Sequence, residues 1–121
     1  MNDAKLTIFG NLSKDPKYIE NEEGKFLIAN VAVTTKRKLS EKEYLTNFYT
    51  VTVRGKQAEI MKELLQKNTF IWVTGDLYVE PKVSNGNTYY KLALDATDIR
   101  VISNMKERER PKVDDDEDDT I

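Results

Sequence analysis

The 121-residue sequence contains neither cysteine nor histidine. Without cysteine the chain cannot form disulfides, thiolate metal sites or a thiol nucleophile. Without histidine it lacks the commonest proton shuttle and zinc ligand, which excludes a Ser-His-Asp or Cys-His enzyme. An enzyme would have to depend on carboxylates, lysine or tyrosine. We therefore expect no catalytic residues, no metal site and no cofactor.

Long apolar runs are also absent. No stretch approaches 18 apolar residues, and the opening decapeptide MNDAKLTIFG has no basic segment followed by an apolar one. The sequence thus predicts neither a membrane span nor a signal peptide. We therefore expect a cytoplasmic location. Its length fits one domain with a core large enough to need no disulfide.

The charge is divided unequally along the chain. The formal net charge is -2, from 19 basic and 21 acidic residues. Residues 114–119 hold six of the acids and no base, which leaves residues 1–113 with 19 bases against 15 acids, a net charge of +4. A basic body with an acidic tail is typical of a polyanion-binding domain followed by a solvated interaction tail, although such tails also serve solubility alone.

The segment NFYTVTVRGKQAEIMKELL, residues 47–65, changes from a strand pattern to a helix pattern at Gly55. Residues 48–54 alternate strictly, with Tyr49, Val51 and Val53 on the predicted inner side. The apolar residues after Gly55 recur at helical spacing and predict an amphipathic helix of about three turns that ends near Asn68.

Four further segments have the alternation of β-strands: residues 5–9, 25–36, 70–80 and 88–102. A charged loop is predicted over 36–42, a bulge at Gly75 and a hairpin turn at Asn85-Gly86. The predicted inner rows are Leu6 and Ile8; Leu27, Ala29, Val31 and Val33; Ile71, Val73, Leu77 and Val79; and Tyr90, Leu92, Leu94 and Ala96.

The predicted order is three strands, one helix and two strands. A five-stranded open sheet would leave two edges unpaired, and one short helix cannot cover a whole face. Closure into a small barrel with the helix at one end is the economical solution. We therefore predict an all-β fold with one helix, a five-stranded Greek-key OB-fold barrel over residues 1–103, followed by a disordered linker and acidic tail over 104–121.

Aromatic and cationic side chains alternate on the predicted outer rows and in the adjoining loops. Such a surface suits single-stranded nucleic acid, because bases stack on aromatic rings and cations contact phosphates. The candidates are Lys36, Arg37, Lys38, Phe48, Thr50, Arg54, Trp72, Tyr78, Lys82 and Tyr89. Trp72 has a second interpretation, as packing at a subunit interface or beneath a loop, and Tyr90 is predicted to be a core or interface residue.

Motifs for other chemistry are missing. Asp95 and Asp98 lie three residues apart on a predicted strand, hence on opposite faces, and make a poor metal or acid–base pair. The sequence contains no P-loop and no dinucleotide-binding fingerprint.

Four segments together resemble the bacterial and phage single-stranded DNA-binding proteins, usually called SSB. They are LTIFGNLSKDP, NFYTVTVRGKQAE with the following LLQKN, IWVTGDL, and YYKLALDATDIRVI, and they span most of residues 5–102 in family order. The resemblance implies an OB-fold subunit, commonly a homotetramer, that wraps single-stranded DNA without sequence preference or catalysis. It also implies roles in replication, recombination or repair.

Phe48 matches an aromatic base-stacking position of that family, and Lys56 follows the glycine of its G-K-Q-A-E-like segment. The sequence departs from the family at three places. Arg54 and Lys82 stand where aromatic stackers can occur, and residues 36–38 offer charges where another can lie. These changes exchange stacking for phosphate contact, so we predict a steep salt dependence of binding.

The tail departs as well, because it ends DDDEDDTI without the Pro-Phe pair that follows the acids in many family members. We expect it to bind replication or recombination proteins, and the departure fits a phage or plasmid protein. The expected location is cytoplasmic, either associated with the nucleoid or, for a phage-encoded protein, in the host cytoplasm. The predicted partner-binding residues are Asp114, Asp115, Asp116, Glu117, Asp118, Asp119 and Ile121.

Two alternatives remain open from the sequence. An OB-fold adaptor of the primosome or replication-restart kind would act mainly through protein partners and would bind duplex or protein as strongly as oligo-dT. A carboxylate-dependent nuclease would cleave labelled strands in the presence of magnesium.

Overall fold

The computed structural model describes residues 3–103, which form a mostly β domain with one short helix. The residues of the predicted tail lie outside this range. The strands are β1 (Lys5–Leu12), β2 (Lys17–Asn21), β3 (Gly24–Lys38), β4 (Tyr44–Arg54), β5 (Phe70–Ser84) and β6 (Asn87–Ser103), and α1 (Lys56–Met61) lies between β4 and β5.

A single sheet closes on itself to make a barrel. Its hydrogen-bonded order is β1-β5-β6-β4-β3-β2, and β1 also pairs with β3. Five strands therefore form a closed ring, which confirms the predicted five-stranded OB-fold, and β2 extends the sheet beyond that ring. Among residues 3–103, β4 and β6 pair in parallel and the other strand pairs are antiparallel.

Gly10 lies where the ring closes. Asn11 and Leu12 of β1 pair with Ala32 and Val31 of β3. A Cβ atom on residue 10 would stand only 2.5 Å from the carbonyl oxygen of Ala32, so a larger residue would force the two strands apart. The sequence predicted that the first strand ends at residue 9, whereas β1 continues to Leu12 and includes Gly10, the residue that permits this close approach of two strands.

The predicted inner rows supply most of the core. The buried cluster consists of Ile8, Leu12, Leu27, Ala29, Val31, Val51, Val53, Ala58, Met61, Leu65, Ile71, Val73, Leu94 and Ile99. The inner positions predicted for Tyr90 and Val79 are wrong, because Tyr90 is 70% exposed and Val79 is 53% exposed. The alternative interface position of Tyr90 stays a prediction. Tyr90 lies before Leu92, the first β6 residue that pairs with β4, so β5 and β6 form a two-stranded hairpin there with no opposite wall to bury it. Val79 lies opposite Leu92, at the limit of the closed ring.

The helix is shorter than predicted and one strand was not predicted. After Met61 the chain continues in turns, and Asn68 adopts the predicted left-handed conformation with a φ of 76°. The amide of Asn68 donates to the Leu12 carbonyl at 2.9 Å, so this segment must meet β1 before β5 begins. The unpredicted strand, β2, has only five residues, too few for a recognisable alternation.

Candidate nucleic-acid interface

The outward row of β4 is the centre of the candidate interface. Val51 and Val53 are fully buried, so strand alternation turns Phe48, Thr50 and Arg54 away from the core, as predicted. Phe48 is 60% exposed. An aromatic ring with this exposure offers a stacking surface that the protein itself leaves largely uncovered.

Tyr78 on β5 lies on the same side of the sheet as the outward row of β4, separated from it by Ala93 on β6. Ala93 lies opposite Thr50 on one side and Tyr78 on the other, and it is 2% exposed. Thr50 Oγ1 donates a hydrogen bond to Asn30 Oδ1 at 3.3 Å, which fixes the hydroxyl. We call the outward surface around Phe48, Thr50, Arg54 and Tyr78 the open face.

Burial raises the pKa of the Tyr78 phenol above its ordinary value, and the nearby carboxylates of Asp95 and Glu80 raise it further, whereas Arg54 lowers it. The phenol is therefore neutral at physiological pH. A neutral hydroxyl on a ring that is 42% exposed can lie beside a phosphate without repelling it.

Arg54 lies at the edge of the open face with two partners. Its guanidinium carbon is 5.4 Å from the centre of the Phe26 ring, a cation–π distance. One of its terminal nitrogens is 3.4 Å from Asp95 Oδ1. The Arg54 side chain is still 57% exposed, so a third group can reach it.

Two hairpins flank the open face. The first arm is the β3–β4 hairpin around loop 39–43, and the second arm is the β5–β6 hairpin around residues 85–86. Because β4 and β6 run parallel, the turns that precede them lie at the same end of the barrel. The turn at Asn85 and Gly86 has φ values of 53° and 79°, which confirms the predicted hairpin.

The arms hold most of the predicted cations. Lys36, Arg37 and Lys38 belong to the end of β3, which corrects their predicted place in a loop. After an irregularity that follows Thr34, β3 and β4 pair again at Lys38 and Tyr44. Lys38 Nζ is 5.9 Å from the centre of the Tyr44 ring. On the second arm Lys82 lies directly opposite Tyr89, and both are exposed.

Trp72 is not brought together with Phe48. It lies opposite Phe9 of β1 and Arg100 of β6, and the Arg100 guanidinium carbon is 5.7 Å from the centre of its ring. We call Phe9, Trp72 and Arg100 the second aromatic cluster. Lys56 is also distant from the arms, because it follows β4 at the end opposite to the first arm.

Asp95 and Asp98 lie on the same outward side of β6, which corrects the prediction of opposite faces. Asp95 pairs with Asp76 and Asp98 with Thr74, while Thr97 is an extra residue in the ladder at the predicted Gly75 bulge. The extra residue reverses the inward–outward alternation of the residues from Asp98 to Val101. The two carboxylates contact different arginines, Asp98 lying 3.2 Å from Arg100.

The sequence missed two aromatic neighbours of the open face. Tyr44 is 47% exposed and begins the same outward row of β4 as Phe48, so extending the alternation four residues toward the N-terminus would have found it. Phe26 lies opposite Arg54, and only the register between β3 and β4 reveals that neighbourhood.

Residues 3–103 contain no cluster of three or more acidic side chains placed to hold a metal ion. Within the same range, the helix falls well short of the length and apolarity needed to cross a bilayer.

The fold is similar to that of known proteins. The small single-stranded DNA-binding protein of Streptomyces coelicolor superimposes with a TM-score of 0.73 at 24% identity, over 88% of this chain and 99% of that one. The mitochondrial single-stranded DNA-binding protein of S. cerevisiae gives 0.66 at 21% identity, over 86% of this chain and 99% of that one. These likenesses establish the fold. Because residues 3–102 match the sequence model of the Single-strand binding protein family, the chain belongs to that family.

Proposed function

We propose that this protein binds single-stranded DNA, without sequence preference and without catalysis, through the open face and the two arms. Membership of the family supports the binding of a single strand. The observation that carries the assignment to this surface is Phe48, which is 60% exposed at the centre of a strand row and lies between two hairpins that carry cations. A surface that combines stacking rings with phosphate contacts needs no base-specific hydrogen bonds.

Each group on this surface has a distinct part in the proposed binding. Phe48 stacks on a base, a contact worth about 1 to 3 kcal/mol, and Tyr78 and Tyr89 extend the aromatic track toward the second arm. Lys36, Arg37, Lys38 and Lys82 contact phosphates, with Lys56 as a further contact where the strand leaves the barrel. A duplex hides the faces of its bases, so it offers Phe48 nothing to stack on.

The first test is to replace Phe48 with alanine and to measure the fluorescence anisotropy of a labelled oligo-dT. We expect affinity to fall on the order of tenfold to one-hundredfold, because one base loses its stacking partner. Ile60→Ala is the control, since Ile60 is 50% exposed on α1 and is not among the residues of the open face or the arms. Equal affinity of the two variants would contradict the proposed site. Equal binding of duplex and oligo-dT by the native protein would favour an adaptor.

We further propose that the protein is a homotetramer that protects exposed strands during replication, recombination or repair in the cytoplasm. The second aromatic cluster supports the association of subunits. Phe9 is 53% exposed and lies opposite Trp72, and exposed aromatic side chains are enriched at contacts between subunits. The acidic residues 114–119 are proposed to bind other replication or recombination proteins. Incubation with labelled strands and magnesium should leave the strands intact.

A further inference from the structure

We propose that Asp95 limits the affinity of this protein for single-stranded DNA by holding Arg54 away from phosphate. The inference rests on the proposed function and adds a tuning residue to it. Its basis is one contact on the open face, 3.4 Å from an Arg54 terminal nitrogen to Asp95 Oδ1. Arginine is the side chain best suited to contact phosphate, and here it faces a carboxylate of its own chain.

The position of Asp95 makes it a direct competitor for the same guanidinium. Asp95 lies opposite Thr52 on β4, two residues from Arg54, so the contact joins adjacent parallel strands of the barrel. The Phe26 ring provides Arg54 with its second partner at 5.4 Å. The guanidinium is therefore oriented between a carboxylate and an aromatic ring before any ligand arrives.

The strength of this contact indicates modulation and not blockade. Side-chain exposure is 57% for Arg54 and 37% for Asp95, and exposed pairs of this kind are worth roughly 0.2 to 1 kcal/mol. A phosphate with its own negative charge competes with Asp95 on similar terms. Removing the carboxylate should thus release Arg54 without creating a new binding site.

The second acidic pair on β6 offers a matched control. Asp98 is 38% exposed and lies 3.2 Å from Arg100, so Asp98→Asn removes the same charge from a similar arginine. Its neighbours belong to the second aromatic cluster and not to the open face. Both Asp95→Asn and Asp98→Asn remove one negative charge from the protein. Any effect of net charge alone on DNA affinity should therefore be equal in the two variants.

The experiment compares the binding of labelled oligo-dT by the two variants across a salt series. We expect Asp95→Asn to bind roughly 1.5-fold to fivefold more tightly than Asp98→Asn at low salt, as expected for loss of one exposed competing pair. Its log-log salt slope should be steeper by about 0.7, the contribution of one additional phosphate contact to a single strand. Equal affinities and equal slopes in the two variants would overturn the proposal.

A double-mutant comparison separates release of Arg54 from simple repulsion of DNA by Asp95. In an Arg54→Gln background, Asp95→Asn should lose its advantage over Asp98→Asn, because no guanidinium remains to be released. Persistence of the advantage would show that Asp95 acts by repulsion and would reject the proposal. If the native protein fails to bind oligo-dT, the proposed function itself fails. Thermal unfolding of each variant verifies that the fold is retained.

Discussion

Phe48 combines two properties that substitution can separate: an apolar surface and a π-face. Phe48→Trp enlarges the ring, and we expect it to bind oligo-dT at least as tightly as the native protein. Phe48→Leu keeps apolar area but removes the π-face, and we expect it to lose on the order of tenfold in affinity, as measured by anisotropy titration. A leucine variant with native affinity would mean that the contact is merely hydrophobic.

Tyr78 gives the open face a measurable pH signature. Burial, together with Asp95 and Glu80, raises its pKa in the folded protein. The unfolded chain therefore releases this proton first, near pH 10, and the folded state binds more protons above that pH. The stability contributed by the neutral phenol is present below pH 10 and is lost as the pH rises through the folded-state pKa.

Alkaline titration followed at 295 nm tests this expectation. The pKa of Tyr18 is also raised, first by burial and then by Glu20, so two phenols should titrate late. Tyr78→Phe should remove one of these late phenols, and the additional change Tyr18→Phe should remove the other. The unfolding free energy of Tyr78→Phe should also fall less steeply above pH 10. An unchanged late amplitude in Tyr78→Phe would contradict the assignment.

At the level of elements, we expect the arms to determine how strongly binding depends on salt. Lys82 lies exposed on the second arm, opposite Tyr89. We expect Lys82→Gln to weaken binding to all sequences alike and to make the log-log salt slope shallower by about 0.7, because one phosphate contact is lost. Lys67→Gln is the control, since Lys67 is exposed beyond α1 and away from both arms. If the log-log plot of affinity against salt were nearly flat for the native protein, the hypothesis that phosphate contacts replace aromatic stacking in this chain would be rejected.

Period-two alternation predicted the strands because buried and exposed positions alternate wherever the barrel has an inside. Val51 and Val53 are fully buried for this reason. The rule fails at Tyr90, where the second arm leaves the barrel, and after Thr97, where an extra residue reverses the parity. Both failures depend on pairing with a distant strand, which is not visible in a local pattern.

The candidate site was predicted in part for a related reason. Alternation shows which side of a strand a residue faces. It therefore correctly predicted that Phe48 and Trp72 point away from the core. It cannot tell where around the barrel an outward residue lies. That position requires the strand order, which sets Trp72 beside β1 and the final part of β6. The partnership of Arg54 with Asp95 likewise depends on the parallel pairing of β4 and β6.

For the whole molecule, we expect the second aromatic cluster to form a contact between subunits. We expect light scattering to give about four times the mass of one chain, and we expect Phe9→Asp to lower that mass, because a charge would be buried in the contact. Phe48→Asp is the matched control, since it places the same charge on the open face and should leave the mass unchanged. A native mass of one chain, or insensitivity to Phe9→Asp, would contradict the proposed tetramer.

The closure of the barrel at Gly10 has a consequence for motion. β1 is joined to β5 by seven residue pairs but to β3 by only two, with one further backbone hydrogen bond from Ser13 to Asn30 at 2.9 Å. Within the closed ring, opening requires the fewest broken bonds at this seam, so we expect amide protons at the β1–β3 boundary to exchange before those of the other strand pairs of the ring. The barrel can thus widen at its seam while the open face, on the strands β4 and β6, keeps its shape.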